Sequence, residues 1–374
     1  MSSEAGSRPS DLRSVLLVAK GLDVGGIERI VVDLARGLGR AAVRVEVAIV
    51  NDDRRALVNH LDRAGIETVW LHGSDRIGVG AATRLAHLVR QSRFDIVHVH
   101  GPATAIVARM PTRRAPVVTT SHTPFDALRA PVRLGWRMSA GRDAAHVSVS
   151  EAVAASFPGP SGVLDRVIPH GLDPAAIAVA LASSHEREVG TGDLQAVTIA
   201  SHRPPKNYPN LLRALRLSID RGVGVELTCV GEGPDLSRHR ALAQQLGLGD
   251  RVRFLPPTTE VLELIVAADV LVVASDLEGQ PLVVGEALAL GRPVISTSVG
   301  RVPELVSDEV GRVVAPGDPE ALAAAIVELA GDAELRRRMG ENARAVGLRW
   351  TLDDVIDAHL ALYADVLRAA GTVA

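Results

Sequence analysis

Residues 270–304 read VLVVASDLEGQPLVVGEALALGRPVISTSVGRVPE. The apolar run Val270–Ala274 is typical of a buried strand, and the polar loop Asp276–Pro281 separates it from an apolar helix expected at Leu282–Leu290. A second apolar run, Val294–Thr297, follows this helix. Strands that are apolar throughout and alternate with helices are typical of parallel sheets covered on both faces. The stretch therefore predicts one strand–helix–strand unit of a doubly wound α/β domain.

The same alternation occurs in two series along the chain. The first series of expected strands comprises Val15–Ala19, Val43–Ile49, Thr68–Leu71, Ile96–Val99, Val117–Thr120, Ala145–Val149 and Val167–Ile168. The second comprises Leu194–Ala200, Val225–Val230, Val252–Leu255, Val270–Ala274, Val294–Thr297 and Val313–Val314. An irregular segment is expected between them at Leu172–Asp193. We predict two Rossmann-like domains, residues 1–173 and 174–349, followed by a last helix within residues 350–374.

The composition excludes several functional classes. A formal net charge of −3 over 374 residues gives no reason to expect a nucleic-acid partner. The apolar run Val15–Ala19 is too short for the core of a signal peptide, and no run reaches the ~18 apolar residues of a membrane-spanning helix. The single cysteine, Cys229, lies in an apolar run and is expected to be buried. These features predict a cytoplasmic protein.

Two of the glutamates within residues 270–304 stand out by their position. Ligands of doubly wound sheets bind at the carboxyl ends of the strands, so the cleft between the two domains is the expected site. Glu278 lies in the loop after a strand, and Glu286 lies eight residues further on, inside the helix. The start of this helix offers free N–H groups and a positive dipole to a phosphate or a sugar. Two carboxylates so placed can hold different parts of one extended ligand.

The stretch closely resembles glycosyltransferase family 4, whose signature is two glutamates separated by seven residues. Glu278 and Glu286 match this spacing, and further positions fit the family pattern, namely Gly291, Pro293, Gly300 and Glu304. The resemblance implies a GT-B fold with a nucleotide-sugar donor in the second domain and an unknown acceptor in the first. It also implies sugar transfer with retention at the anomeric carbon, and a last helix that crosses back to the first domain. The nucleotide sugar is a co-substrate, and no resident cofactor is expected.

The resemblance assigns roles to residues around the two glutamates. Glu278 is expected to contact the donor sugar near its reacting face, and Glu286 to bind the ribose hydroxyls. The backbone along the sugar and diphosphate is expected to come from Gly279, Gln280, Pro281 and Leu282. For either glutamate alone, the alternative is an acidic helix cap or an ordinary glutamate on a helix surface.

Basic residues follow the first strand of the second domain in the segment Ala200–Asn207. Lys206 is one of only two lysines among 41 basic residues, and it stands where arginine is the compositional default. Lys206 and Arg203 could neutralise the leaving diphosphate as the glycosidic bond breaks. The arginine that the family carries five residues before this lysine corresponds to Ser201, and Arg203 is the candidate replacement. The alternative is a solvated charge at the start of a helix.

The first domain supplies a second group of candidates. Gly25 and Gly26 open the first helix and allow close approach of a ligand to the backbone; the family places this loop toward the diphosphate and the acceptor. His122 follows an expected strand, where the family has a histidine near the reaction centre. His98 and His100 alternate on one strand and therefore point the same way, as structural or cleft-lining residues.

Other patterns favour weaker expectations. The chain contains no Asp-x-Asp pair, which metal-dependent sugar transferases of the other common fold use, so we expect no metal. Arginines with apolar residues between them predict a basic helix, either a solvated face or a contact with anionic lipid at the inner face of the membrane: Arg129, Arg133, Arg137 and Arg142. Gly231 and Gly233 form only half of a dinucleotide fingerprint, which argues against a dehydrogenase. The rival functions are a nucleotide-sugar epimerase, a phosphorylase and a donor-binding regulatory protein without turnover.

Overall fold

The structure, a computed structural model, describes residues 11–74, 77–91, 93–110, 115–160, 162–183 and 192–371. It divides into two compact units. The first unit contains the described residues up to Gly171 together with the last helix, Leu352–Gly371, and the second contains the described residues from Leu172 to Thr351. The boundaries expected from the sequence are 173 and 349. Among the helices over the described ranges, none is both long enough and apolar enough to cross a bilayer.

The first unit is built on a parallel sheet. Its described residues form seven strands, β1 (Ser14–Ala19), β2 (Arg44–Asn51), β3 (Glu67–Gly73), β4 (Ile96–His100), β5 (Val117–Ser121), β6 (Ala145–Ser148) and β7 (Leu164–Val167). Their order is β3-β2-β1-β4-β5-β6-β7, so the order reverses between β1 and β4. Neighbouring residues of β1 and β4 are in parallel register, with Val15 opposite Ile96 and Val18 opposite Val99. Loops at the carboxyl ends of these two strands therefore lie side by side.

Helices cover both faces of this sheet. They are α1 (Gly26–Arg40), α2 (Val58–Asp62), α3 (Val79–Arg90), α4 (Pro102–Ala108), α5 (Ala130–Ser139), α6 (Glu151–Ser156) and the last helix, α15 (Leu352–Gly371). The last helix packs on α1, where Ile356 fills the space next to Gly37. Tyr363 of the same helix is fully buried in the core of the first unit.

The second unit repeats the design. Its described strands are β8 (Leu194–Ile199), β9 (Val225–Val230), β10 (Val252–Leu255), β11 (Val270–Val273), β12 (Val294–Thr297) and β13 (Gly311–Val314), in the order β10-β9-β8-β11-β12-β13. All are parallel, and the order reverses between β8 and β11. The helices are α7 (Pro174–Ser183), α8 (Tyr208–Asp220), α9 (Leu236–Gln245), α10 (Val261–Ala267), α11 (Leu282–Ala289), α12 (Val302–Leu305), α13 (Pro319–Gly331) and α14 (Ala333–Gly347). The two parallel α/β sheets confirm the predicted fold class, and Cys229 is buried as expected.

Two local expectations were wrong. The segment Leu172–Asp193 is not irregular throughout, because Pro174–Ser183 forms α7 and buries Ile177 and Ala180; residues 184–191 lie outside the described ranges. This helix is apolar on nearly all sides, so it shows little of the periodicity that marks an amphipathic helix. The strand expected at Val167–Ile168 is β7, which begins earlier, at Leu164. It is an edge strand with exposed polar residues in its middle, so its apolar run marks only its end.

Candidate active site

Lys206 is held at the end of a rigid turn after β8. Pro204–Lys206 forms one turn of 3-10 helix, in which the two prolines fix the backbone φ angle. The next residue, Asn207, adopts a left-handed φ of 42° and caps α8, since its side chain accepts a hydrogen bond from Asn210 N at 3.2 Å. The lysine side chain therefore leaves a backbone that is fixed on both sides.

The loop after β11 meets this turn directly. Strands β8 and β11 are neighbours, and the carboxyl ends of parallel neighbours lie at one edge of the sheet. Asp276 N donates to Pro205 O at 2.8 Å, and Asn207 Nδ2 donates to Asp276 Oδ1 at 2.8 Å. Two residues that the sequence reasoning did not single out, Asn207 and Asp276, thus join the two loops. The sequence does offer a signal for both, because each is a polar residue in the short loop that follows a predicted strand.

The junction brings Lys206 and Glu278 together. Lys206 Nζ lies 2.5 Å from Glu278 Oε1, and Ser275 Oγ donates to the same carboxylate oxygen at 2.7 Å. The side chains of the lysine and the glutamate are 25% and 11% exposed, so the pair is partly shielded from water but open to a ligand. The ammonium group can therefore exchange its carboxylate partner for a competing anion such as a phosphate.

A third loop, which follows β12, holds the backbone around Glu278 in place. Arg301 N donates to Gly279 O at 3.0 Å, and Thr297 Oγ1 donates to Ser275 O at 2.5 Å. Gly300 has a φ of +51°, and a Cβ at this position would lie 2.7 Å from Glu278 O and 2.3 Å from Gly279 O. Only glycine allows this loop to pack so closely. The backbone that carries Glu278 is thus fixed by the loop after β12.

Glu286 lies inside α11 and is only 1% exposed. A glutamate on an ordinary helix surface would be exposed, so this structure excludes that alternative for Glu286. The residues expected to line the sugar and diphosphate lie between the two glutamates: Gly279 and Gln280 belong to the loop, Pro281 precedes α11, and Leu282 begins it. The helix therefore starts beside the Lys206–Glu278 pair.

Arg203, the candidate replacement for the basic residue missing at position 201, is exposed and precedes the 3-10 turn. Ser201 and His202 belong to the same loop, which packs closely on Gly231 and Gly233. A Cβ at either glycine would lie 2.3–2.4 Å from a carbonyl oxygen of this loop, and both glycines have a positive φ. The half fingerprint is therefore explained by packing of the loop after β9 against the loop after β8.

The first unit places Gly25 and Gly26 at the carboxyl end of β1. Gly25 is extended and caps α1, with its carbonyl oxygen accepting from Arg29 N at 3.0 Å, and Gly26 begins the helix. Because β1 neighbours β4, this loop and His100 at the end of β4 share one edge of the sheet. The structure thus places the residues expected on the acceptor side at the reversal of strand order.

Four histidines form a stacked row at the same edge, which we call the histidine row: His98, His100, His122 and His170. Successive ring centroids are 4.6, 5.4 and 5.3 Å apart. His98 and His100 point the same way, as expected from their alternation on β4. The contribution of His170, which lies in the segment after β7, was not predicted from the sequence.

Burial keeps three of these rings neutral, those of His98, His100 and His122. His122 is 8% exposed, and burial lowers its pKa to about 4; burial also lowers the pKa values of His98 and His100 well below the ordinary value. At neutral pH the rings therefore act as hydrogen-bonding groups and not as cations. In the described parts of the chain, no group of three or more histidine, cysteine or acidic residues is placed to hold a metal ion.

Comparison with known proteins gives a consistent result. The model of the family described as Glycosyltransferase Family 4 matches residues 24–176, and that of Glycosyl transferases group 1 matches residues 183–346. N-acetyl-alpha-D-glucosaminyl L-malate synthase of Bacillus anthracis is 27% identical over 77% of this chain and 79% of its own length. D-inositol 3-phosphate glycosyltransferase of Salinispora arenicola is 26% identical over 93% of this chain and 89% of its own length.

Solved structures show the same fold. The Anabaena protein HepE in complex with UDP and glucose superposes with a TM-score of 0.80 at 19% identity, covering 93% of this chain and 98% of that one. Sucrose-phosphate synthase from Thermosynechococcus elongatus gives a TM-score of 0.78 at 21% identity, covering 96% and 100%. At this identity the likeness establishes the GT-B fold. The two family models, which together match most of the chain, and the similarity to the two curated glycosyltransferases show that the chain is a glycosyltransferase and belongs to glycosyltransferase family 4.

Proposed function

We propose that the chain transfers a hexosyl group from a nucleotide sugar to an acceptor hydroxyl, with retention at the anomeric carbon. The observation that carries this proposal is the Lys206–Glu278 pair, held 2.5 Å apart where β8 and β11 reverse the strand order. A cation that is partly shielded and already oriented suits the negative charge that develops on a leaving diphosphate. The adjacent carboxylate suits the hydroxyls of a sugar.

The exchange of partners at Lys206 supplies a mechanism. When the diphosphate replaces Glu278 as the partner of the ammonium group, Glu278 still accepts the hydrogen bond from Ser275 Oγ. Its other lone pairs can then accept hydrogen bonds from sugar hydroxyls. We infer front-face attack by the acceptor through an oxocarbenium-like transition state, with the leaving diphosphate accepting the acceptor's proton. We assign His122 and Gly26 to the donor, and Gly25, Gly26 and His100 to the acceptor side. No metal and no resident cofactor enter this mechanism.

The names of the relatives support the donor and acceptor classes that we propose. We propose UDP-glucose or UDP-N-acetylglucosamine as the donor and GDP-mannose as the next candidate, with the buried Glu286 binding the ribose hydroxyls. One relative is named for an N-acetylglucosaminyl product, and one neighbour is bound to UDP and glucose. The acceptor is a small hydroxylated metabolite, as in the relatives named for malate and inositol 3-phosphate, or a lipid or polysaccharide intermediate of the cell envelope.

Thermal unfolding with a panel of UDP, GDP, dTDP and ADP sugars tests the donor. A ligand that binds only the folded chain stabilises it by about 2.7 kcal/mol at a concentration of 100 times Kd. We expect the UDP series to raise the Tm of the wild type clearly and that of Lys206→Ala much less, since the alanine removes the cation for the diphosphate. Stabilisation by no nucleotide sugar, together with no transfer to any acceptor, would overturn the proposal.

Product analysis separates the rival functions. An epimerase would change the sugar of the donor without any acceptor, and a phosphorylase would require phosphate and release a sugar phosphate. A regulatory protein would bind the donor and remain inactive with every acceptor. Transfer that depends on a hydroxyl acceptor excludes all three.

The basic helix α5 is the proposed contact with anionic lipid. Its side chains Leu134 and Met138 lie one turn apart and are 61% and 74% exposed, the exposed Arg137 lies on the same helix, and the exposed Arg129 precedes the helix. Apolar side chains flanked by arginines match the boundary between acyl chains and anionic headgroups. Each arginine near such a surface contributes about 1 kcal/mol.

We expect the chain to sediment with vesicles of phosphatidylglycerol and not with vesicles of phosphatidylcholine. Changing Leu134 and Met138 together to serine should lower the bound fraction severalfold, because the apolar contact is lost. Val79→Ser on α3 is the matched control, since Val79 is 82% exposed but lies on another helix. Equal loss in both variants, or no binding by the wild type, would exclude this contact.

A further inference from the structure

His100 and His122 share one hydrogen bond between two neutral rings. His100 Nδ1 lies 3.1 Å from His122 Nε2. A neutral imidazole carries a single N–H, so one of the two nitrogens donates and the other accepts. Both side chains are buried, at 4% and 8% exposed, and burial lowers the pKa of each ring. The pair therefore has two possible proton arrangements at neutral pH.

Each arrangement fixes the two outer nitrogens. If His100 Nδ1 donates, His122 must carry its proton on Nδ1 and His100 Nε2 is an acceptor. If His122 Nε2 donates, His122 Nδ1 is an acceptor and His100 carries its proton on Nε2. In both cases one outer nitrogen donates and the other accepts.

Both outer nitrogens are buried and have no hydrogen-bond partner in the described parts of the chain. His100 Nε2 and His122 Nδ1 are each nearly inaccessible, and neither makes a hydrogen bond within the described residues. A buried polar atom without a partner costs about 1–3 kcal/mol. Two such atoms on paired rings indicate a place for a ligand that supplies both a donor and an acceptor, as a sugar hydroxyl does.

The neighbouring rings prevent His100 and His122 from turning to other partners. His98 stacks on His100 and is itself held at both nitrogens, by Tyr363 OH at 2.6 Å and Thr120 Oγ1 at 2.7 Å. His170 stacks on the other side of His122. The rings are thus fixed in place, and only the position of the shared proton is left to respond to a ligand.

We propose that His100 is a positioning residue that sets the tautomer of His122, and that donor binding selects one of the two proton arrangements of the pair. This inference rests on the proposed function, because it assigns sugar hydroxyls to the open nitrogens. It adds that His122 does not act alone. The hydrogen bond it offers to the sugar depends on the proton held by His100.

Nitrogen NMR of the histidine-labelled protein tests the inference in the wild type. We expect donor binding to fix the pair in one arrangement, in which exactly one of His100 Nε2 and His122 Nδ1 carries a proton. The signals of each histidine ring are assigned by their loss in a chain in which that histidine alone is substituted. The inference would be overturned if both outer nitrogens are protonated or if neither is. It would also be overturned if the protonation of the pair does not change when the donor binds.

Two substitutions of His100 separate a tautomer effect from a packing effect. In His100→Asn the amide lies near the position of Nδ1 and can still pair with His122 Nε2, whereas in His100→Gln the amide lies near the position of Nε2 and leaves His122 Nε2 unpaired. We expect kcat to fall about tenfold in His100→Gln, as for loss of one hydrogen bond, and clearly less in His100→Asn. The donor-free His122 signals should change in His100→Gln and be retained in His100→Asn. Equal kcat and equal His122 signals in the two variants would contradict the role of His100.

The outcomes also distinguish this inference from the proposed function. If the donor binds and is turned over while the His122 tautomer stays unchanged, His100 has no such role and the transferase function stands. If no nucleotide sugar binds, the proposed function fails, and the donor-free spectra of the two His100 variants still decide whether His100 sets the tautomer. The Tm of each variant reports its folding.

Discussion

Changing Lys206 to alanine should lower kcat by roughly 10²–10³-fold, the usual effect of removing one oriented group that stabilises transition-state charge. The lysine is 2.5 Å from Glu278 and stands on a turn fixed by two prolines, so its charge is held beside the carboxylate. Arg203 is exposed and lies outside this pair. We therefore expect Arg203→Ala to have a smaller effect than Lys206→Ala.

The fold should survive this change. Lys206 is 25% exposed, and partly exposed ion pairs contribute only about 1 kcal/mol or less. Glu278 keeps the hydrogen bond from Ser275 Oγ when the lysine is absent. A Tm within a few degrees of the wild type, measured without ligand, would separate a loss of chemistry from a loss of structure.

Two further variants complete the test. Glu278→Ala should remove turnover and leave the fold intact, since it removes the carboxylate assigned to the sugar. The double variant, Lys206→Ala with Glu278→Ala, should have a kcat little lower than that of the less active single variant, because residues that act as a unit have non-additive effects. Lys206→Arg keeps the charge but replaces a compact ammonium with a planar group, and should recover diphosphate binding better than turnover. Normal kcat in Lys206→Ala or Glu278→Ala would show that the site lies elsewhere.

The sequence indicated Lys206 and Glu278 as candidates because both lie on short loops after predicted strands. The spacing of Glu278 and Glu286 and the scarcity of lysine were visible without a structure. The contact between Lys206 and Glu278 was not, since it depends on β8 and β11 being neighbours although 72 residues separate the pair. Strand order is a tertiary property that hydrophobic patterns do not encode.

The histidine row shows the same limit. Alternation on β4 predicted that His98 and His100 point the same way, because side chains two apart on a strand share a face. The partner of His98 is Tyr363 on the last helix, 265 residues away, and the stacking of His170 on His122 joins two separate loops. Burial of these rings, which sets their pKa values, follows from those long-range contacts and could not be predicted from composition.

The buried histidines should make the chain sensitive to acid between about pH 6.5 and pH 4. Burial lowers the pKa of His122 and of His359 to about 4 from an ordinary value of 6.5. In this range the unfolded chain binds protons at these positions and the folded chain does not. Stability is therefore full above pH 6.5 and falls as the pH decreases, by up to about 1.4 kcal/mol per pH unit for each histidine.

Other groups determine how steep the loss is. His98 and His100 shift in the same direction and add to it. Asp143 works in the opposite sense, because burial raises its pKa to about 6 and the folded form then takes up a proton first. Burial also raises the pKa values of Glu28 and Glu46, which act in the same sense as Asp143, and lowers the pKa of His146 to about 4. Five histidines against three carboxyl groups leave a net loss. All of these residues belong to the first unit, whereas the second unit has two histidines with pKa values lowered by burial, His202 and His239. We therefore expect the transition of the first unit to move more than that of the second.

Urea unfolding at pH 7.5, 6, 5 and 4.5, followed separately for each unit by site-specific probes, measures this slope. His359→Gln is the informative variant, since His359 hydrogen-bonds only a backbone carbonyl among the described contacts of its ring nitrogens, Val355 O at 2.8 Å, and takes no part in the proposed chemistry. Removing it should lower the slope by about one proton, even if the variant is less stable at pH 7.5. A midpoint that stays constant from pH 7.5 to 5 would mean that these rings are protonated, or reached by water, in the folded chain. If water reaches the histidine row, its two open nitrogens are already satisfied before any sugar binds.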